Sequence, residues 1–200
     1  MLQEAKHPYR VDEAPHEVRR WLCSIDDFLA MDAAGILHED SRVELIDGEL
    51  FQLAAKHVPH ERWKHLLLRH FMLKMPEDLT VLSEPSIRLG NNVYEPDIVI
   101  LPSVLWLGQS AGIPTFAGSE LHLIVEVADA SVAYDRRRKA AAYARDGVPQ
   151  YWVLEARTPR LIVHRGPLAG DWREVRVLGP EEEVVPLGIE GATLRLSGLV

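Results

Sequence analysis

Two acidic residues interrupt apolar stretches that otherwise have the composition of buried β-strands. Glu126 lies inside the run 121–127, and Asp97 follows Pro96 inside the run 93–101. An unpaired carboxylate is costly to bury, so such a group normally has a cation, a metal or hydrogen-bond donors beside it. Because proline removes a backbone donor from the strand ladder, we expect a break in the strand at Pro96, next to Asp97.

Two carboxylates on neighbouring strands could hold a divalent cation. Magnesium prefers oxygen ligands and is usually bound through one or two carboxylates, with water molecules completing its coordination. A single buried acid more often pairs with an arginine or lies at a strand end. Asp97 and Glu126 together favour a metal site, and we predict that both are ligands.

A lysine near these acids supplies a candidate catalytic cation. Asp135, Lys139 and Tyr143 are spaced four residues apart and therefore share one face of a helix. Tyr143 and the alanines around it predict that this face packs on the sheet, which would direct Lys139 toward the strands. An ammonium group there could orient a water molecule or stabilise charge developing on a phosphorus oxygen. The adjacent Arg136 and Arg137 are expected either to be solvated or to contact phosphate.

The elements that must position these residues follow from hydrophobic periodicity and turn signals. After a loosely organised lead-in over residues 1–23, helices are predicted over 25–34, 59–75 and 135–145. Strands are predicted over 79–89 with a break at Pro85, over 92–101, 120–127 and 150–154. Hairpins are predicted over 42–53 around Asp47-Gly48 and over 161–178, and residues 102–119 are predicted to form a long loop.

This order of elements indicates one domain over residues 1–200 with an α/β (α+β) architecture. We expect a central mixed β-sheet flanked by helices over about 40–156, preceded by a helix and followed by a β extension. The single cysteine excludes a disulfide framework within the chain and a multi-cysteine zinc site. The sequence has no apolar run of about 20 residues and no apolar signal core, so we expect no membrane association and a cytoplasmic location.

The charge distribution is uneven along the chain. The formal charge is −8, yet windows 60–75 and 134–146 hold nine basic residues against three acidic ones. A basic surface on an acidic body suits contact with nucleic-acid phosphates, although helices commonly expose bases. Four histidines cluster around the second predicted helix without the spacing of a zinc motif. Of these, His60 lies near the helix start and is a candidate nucleic-acid contact.

The combination of these segments resembles the Uma-two family of the PD-(D/E)XK restriction-endonuclease-like superfamily. The order and spacing of the segments carry the resemblance, since each one alone is weak. The matching segments are 44–49, His60, Glu95-Pro96-Asp97, 124–127, Tyr134-Asp135 with Lys139, Tyr143-Ala144 and 147–152.

The resemblance implies a restriction-endonuclease-like fold and a nuclease dependent on Mg²⁺ or Mn²⁺. Asp97 matches the acid of the PD motif and Glu126 the first acid of the (D/E)XK motif. Both would be metal ligands, with the backbone carbonyl of Val127 as a further ligand and Glu44 as an upstream acid that reaches the site. The motif lysine is expected at position 128, where this chain has Ala128. The helix-borne Lys139 matches a family lysine that could supply the same charge.

The resulting expectation is an endonuclease that hydrolyses nucleic-acid phosphodiester bonds, with DNA as the favoured substrate. A homodimer is expected because cutting both strands requires two sites. One alternative is a catalytically silent nuclease-fold protein that binds nucleic acid or a protein partner. Ala128 favours this alternative, whereas the presence of Asp97, Glu126 and Lys139 favours the enzyme. A third reading is a structural homo-oligomer formed through exposed strands in 160–200.

Overall fold

The computed structural model describes residues 20–37 and 42–200, so most of the predicted lead-in lies outside the described residues. The helices are α1 (Ile25–Ala33), α2 (Val58–Lys74), α3 (Ser103–Leu107), α4 (Val132–Tyr134) and α5 (Ala140–Arg145). The first strands are β1 (Val43–Ile46), β2 (Glu49–Gln52), β3 (Leu79–Ser83), β4 (Ile87–Leu89), β5 (Asn92–Tyr94), β6 (Ile98–Pro102) and β7 (Thr115–Phe116). The remaining strands are β8 (Leu123–Ala128), β9 (Gln150–Glu155), β10 (Arg160–Leu168), β11 (Asp171–Leu178), β12 (Glu183–Val184) and β13 (Leu194–Arg195).

A six-stranded mixed sheet in the order β11-β10-β9-β8-β6-β3 forms the centre of the fold. Only β8 and β9 run parallel within it, and the helical segment between them makes the crossover that a parallel pair requires. Helix α2 covers one face through Leu67 and Phe71, which pack with Trp152. Helix α5 covers the other face through Tyr143. This arrangement is the predicted mixed sheet flanked by helices.

A second sheet in the order β2-β1-β5-β4-β7 lies beside the central sheet. The strand predicted over 92–101 divides at the expected break, but its two halves do not share a sheet, because the chain leaves this sheet after β5 and enters the central sheet at β6. The change occurs at Glu95-Pro96-Asp97, as the missing proline donor predicted. Asp97 therefore lies where the chain passes from one sheet to the other. The predicted break at Pro85 likewise separates β3 from β4.

The predicted long loop over 102–119 is also partly wrong. It contains α3, the short strand β7 and a turn of 3-10 helix at Gly118–Glu120. Leu105 and Trp106 of α3 pack against the core, and β7 pairs in parallel with β4. These contacts join residues far apart in the sequence, so local composition did not indicate them.

The predicted start of the first helix and the predicted turn of the first hairpin are confirmed. Ser24 caps α1 and Asp27 completes the capping box. Asp47 and Gly48 both adopt positive φ, as the two-residue turn of the first hairpin requires. Within the described residues, none of the helices has the length and apolar character needed to cross a membrane.

Candidate functional site

Asp97 is a buried carboxylate with partners on both oxygens. Oδ2 accepts hydrogen bonds from the backbone N–H of Val127 at 2.8 Å and from Nε2 of His60 at 2.9 Å. Oδ1 accepts a hydrogen bond from Nζ of Lys56 at 2.7 Å. Burial opposes ionisation of Asp97, but the hydrogen bond and charge of His60 and the charge of Lys56 outweigh it and hold its pKa well below the usual range. Asp97 is therefore a carboxylate anion fixed at the start of β6.

Glu126 belongs to a second buried group, which is centred on Lys139. Nζ of Lys139 lies 2.8 Å from Oε1 of Glu126 and 2.8 Å from Oε1 of Glu44. The hydroxyl of Tyr143 donates to Oε1 of Glu126 at 3.2 Å, and the backbone N–H of Glu95 donates to Oε1 of Glu44 at 2.9 Å. Lys139 thus connects β1 of the second sheet to β8 of the central sheet.

The local backbone explains how Lys139 reaches both carboxylates. The helix predicted to begin at residue 135 begins at Val132, and residues Asp135–Lys139 form a wider π-helical turn before α5 continues. Insertions of this kind are frequent at functional sites. The turn buries both Asp135 and Lys139, so the predicted orientation of Lys139 toward the strands is what the structure has.

Burial and the carboxylates packed around Lys139 determine which groups of this cluster carry protons. Burial opposes the charge on Lys139, but Glu126, Glu44 and Asp135 together raise its pKa well above the ordinary value. The proton therefore stays on Lys139. Burial, reinforced by Asp97, Asp135 and Glu44, raises the pKa of Glu126. Burial similarly raises the pKa of Asp135 to about 6.

Asp97 and the pair formed by Glu126 and Lys139 line the same cavity of about 70 Å³. A water molecule needs about 10–15 Å³ of such space, so the cavity has room for a small ion together with several water molecules. Its titratable lining comprises the acids Glu95, Asp97, Glu126, Asp129 and Asp135, the bases Arg42, Lys56 and Lys139, and the imidazoles of His57 and His60. The carboxylates outnumber the lysine and arginine side chains, which suits a divalent cation.

The donor set is compatible with magnesium or manganese. Among residues 20–37 and 42–200, no group of three or more His, Cys, Asp or Glu side chains is arranged to hold a metal ion by itself. Asp97, Glu126 and Val127 nevertheless line the same cavity. Magnesium needs no more than one or two protein carboxylates when water fills its other positions. These three residues therefore fit a partly hydrated hard cation better than a zinc ion.

Most of the residues predicted from sequence come together here. Glu44 contacts Lys139, and Asp97, Glu126, Lys139, Val127 and His60 all line the cavity. Ala128, at the position of the motif lysine, is buried where β8 pairs with Glu155 of β9.

Arg136 and Arg137 lie apart from this cavity. They line a separate groove of about 230 Å³ between the π turn and the β10–β11 hairpin. Nη1 of Arg136 lies 3.2 Å from Oε1 of Glu155, while Arg137 is exposed. Their predicted contact with nucleic acid therefore stays a prediction.

Sequence reasoning missed Lys56. It lies in residues 53–57, which have no regular secondary structure between β2 and α2, and no periodic pattern marks it. Its contact with Asp97 spans 41 residues of sequence. Lys56 also pairs with Glu84, which in turn pairs with Lys64 at 2.9 Å. The only available signal was its nearness to His60, which is one helical turn further along the chain.

Comparison with known proteins identifies a family and a structural neighbour. The model of the Uma2 family, described as "Putative restriction endonuclease", matches residues 25–197. The structure is similar to the crystal structure of "a putative nuclease belonging to DUF820" from Anabaena variabilis ATCC 29413, with a TM-score of 0.71 and 17% sequence identity. The similarity covers 88% of this chain and 96% of the other. No curated protein matches this chain.

Proposed function

This chain belongs to the Uma2 family of restriction-endonuclease-like proteins, and we propose that it is a divalent-metal-dependent endonuclease that hydrolyses phosphodiester bonds in DNA. The family and the nuclease-like fold support a nuclease. The finer assignment depends on one observation. A buried lysine is held between two carboxylates at a cavity that also contains Asp97.

Each residue has a distinct role in the proposed reaction. Asp97, Glu126 and the backbone carbonyl of Val127 would hold a Mg²⁺ or Mn²⁺ ion. Such an ion lowers the pKa of a bound water molecule and screens the charge of the scissile phosphate. Lys139 would supply a protonated ammonium group that orients the attacking water molecule or stabilises charge on the phosphorus oxygens.

Two further residues act by positioning others. Glu44 contacts the same Lys139 ammonium group as Glu126 but does not line the cavity, so we assign it a positioning role rather than direct contact with the ion. His60 donates from Nε2 to Asp97, which keeps that carboxylate ionised and in one orientation. A homodimer is part of the proposal, because cutting both strands of a duplex requires two such sites.

A second candidate function is a silent nuclease-fold protein that binds nucleic acid. Two observations favour it. The motif position two residues after Glu126 holds the buried Ala128, and Oδ1 of Asp97 is already paired with Lys56. The cleavage experiment described next distinguishes this candidate from the enzyme.

The test compares the wild-type protein with Asp97→Asn and Glu126→Gln. Amides are preferable to alanine because an amide oxygen at residue 97 can still accept from the Val127 N–H, which would otherwise be buried without a partner. Asp146→Asn is the matched control. It makes the same change at a half-buried carboxylate bonded to Tyr94 and Asn92, away from the cavity.

Cleavage of plasmid DNA, single-stranded DNA and RNA is measured with Mg²⁺, Mn²⁺ or EDTA, and circular dichroism checks each fold. We expect metal-dependent cleavage by the wild-type and Asp146→Asn proteins, and a loss of about a hundredfold or more in the two site variants. Wild-type rates in folded Asp97→Asn would refute the assignment. A folded wild-type protein that cleaves none of the substrates with either metal would overturn the endonuclease and leave the silent alternative.

A further inference from the structure

Lys56 occupies the side of Asp97 on which a metal ion would bind. Oδ2 of Asp97 is committed to His60 and to the backbone N–H of Val127. Oδ1 is therefore the oxygen left to ligate an ion, and Nζ of Lys56 lies 2.7 Å from it. We propose that Lys56 is an internal cation that neutralises Asp97 in the metal-free protein, and that a divalent ion binds only by displacing it. This inference rests on the proposed metal-dependent function.

The surroundings of Lys56 permit such an exchange. Its backbone lies in residues 53–57, outside any helix or strand, so no ladder or helical hydrogen bond fixes its direction. Its ammonium group also contacts Glu84, whose side chain is 41% exposed. When Lys56 leaves Asp97 it can remain paired with Glu84, and its charge moves toward solvent instead of losing every partner.

Lys139 does not have this freedom. It is fully enclosed between Glu44 and Glu126, and its backbone belongs to the helical segment. Lys56 and Lys139 therefore differ in how freely their ammonium groups can move. Lys139 is a fixed charge of the site, whereas Lys56 is a replaceable one.

Displacement has a consequence for metal binding that can be measured without substrate. A cation beside Oδ1 repels an incoming divalent ion, so moving Lys56 away makes the net free energy of metal binding less favourable. The wild-type protein should therefore bind the ion more weakly than a variant with no charge at position 56. Half-saturation of the wild-type protein would therefore require a higher concentration of the ion, and Asp97 stays paired with Lys56 while the ion is absent.

The first test measures Mn²⁺ binding from the electron paramagnetic resonance signal of free Mn²⁺ and by calorimetry. Lys56→Met is compared with the wild type, and Lys56→Gln serves as a second variant if the first folds poorly. Lys64→Met is the matched control, because Lys64 also pairs with Glu84 but makes no contact with Asp97. We expect about tenfold tighter binding for Lys56→Met, the order expected for removing one like charge close to the ion. Lys64→Met should bind as the wild type does.

The second test follows the amine of Lys56 in the wild-type protein. Limited labelling with an amine-reactive ester, followed by peptide mass spectrometry, is carried out with and without Mn²⁺. We expect faster labelling of Lys56 when Mn²⁺ is bound, since its ammonium group leaves the buried carboxylate. The rate at Lys64 should not change.

The outcomes separate this inference from the proposed function. Mn²⁺ binding by the wild type with equal or weaker binding by the position-56 variants overturns the displacement and leaves the metal site in place. Unchanged labelling of Lys56 on metal binding overturns it as well. Mn²⁺ binding by neither wild type nor variants overturns the metal site and the displacement together. Binding by the variants alone supports Lys56 as the resident cation.

Discussion

The side chains of Lys139 and Glu126 form a buried ion pair with Nζ 2.8 Å from Oε1, although one residue lies on a helical segment and the other on β8. Glu44, on β1 of the second sheet, contacts the same ammonium group and completes the bridge. Burying three charges is favourable only when each has a partner, because desolvation of an isolated ion costs several kcal/mol. The same contacts therefore stabilise the fold and position Lys139 for the proposed reaction.

Replacing Lys139 with methionine should affect stability as well as activity. Lys139→Met retains most of the side-chain volume but leaves Glu44 and Glu126 buried without their cation. We expect a loss of about 3–5 kcal/mol in the free energy of unfolding, measured by urea denaturation, and loss of cleavage. The Glu126→Gln/Lys139→Met double variant should be destabilised by less than the sum of its single variants, because it removes both charges of the pair. A Lys139→Met protein as stable as the wild type would show that the bridge contributes nothing.

Local sequence patterns predicted the parts of the site that lie on regular elements. The apolar runs around Glu126 and residues 150–154 correspond to β8 and β9, and the four-residue spacing of Asp135 and Lys139 placed the lysine on the correct face. These apolar runs are continuous because β8 and β9 are buried on both faces of the sheet. A break at Asp97 was also predictable, because Pro96 lacks the backbone donor that a continuous strand uses.

The parts that were missed depend on contacts between distant residues. Nothing near Lys56 indicates that it pairs with Asp97, because the contact exists only after α2 and β6 pack together. Strand β7 owes its conformation to pairing with β4 rather than to its own two residues. The π turn at Asp135–Lys139 reflects the contacts of Asp135 and Lys139 with the site, and helix propensity alone does not indicate it.

The stability of the protein should depend on pH through His164. Its ring is buried, and Nδ1 donates to the backbone carbonyl of Tyr151 at 3.1 Å. Burial, together with the charge of Arg136, lowers the pKa of His164 below its usual value. Below pH about 6.5 the unfolded chain binds a proton that the folded protein resists, so the contribution of His164 to the free energy of unfolding should fall as the pH decreases. The raised pKa of Asp135 contributes with the opposite sign, so the wild type must be compared with a variant that lacks only the titration of His164.

His164→Asn tests this dependence, because an asparagine amide can keep a donor near the Tyr151 carbonyl but does not titrate. Urea denaturation between about pH 8 and pH 5 should show a shallower loss of stability in the variant than in the wild type. The slope should not vanish, because burial also lowers the pKa of His70. Parallel curves for the two proteins would mean that His164 has the same pKa in the folded and unfolded chains.

Nucleic-acid binding should involve Arg136 and Arg137, which are exposed on the groove beside the β10–β11 hairpin. Replacing either with alanine in the Asp97→Asn background should weaken DNA binding in fluorescence anisotropy. The slope of log affinity against log salt concentration should become shallower by about 0.9 for each phosphate contact removed. The effect should be larger for Arg137, because Arg136 also pairs with Glu155. Arg195→Ala, which removes an exposed arginine of the β12–β13 sheet, is the control and should leave affinity and slope unchanged. Equal salt slopes in all four proteins would exclude the groove as a phosphate contact.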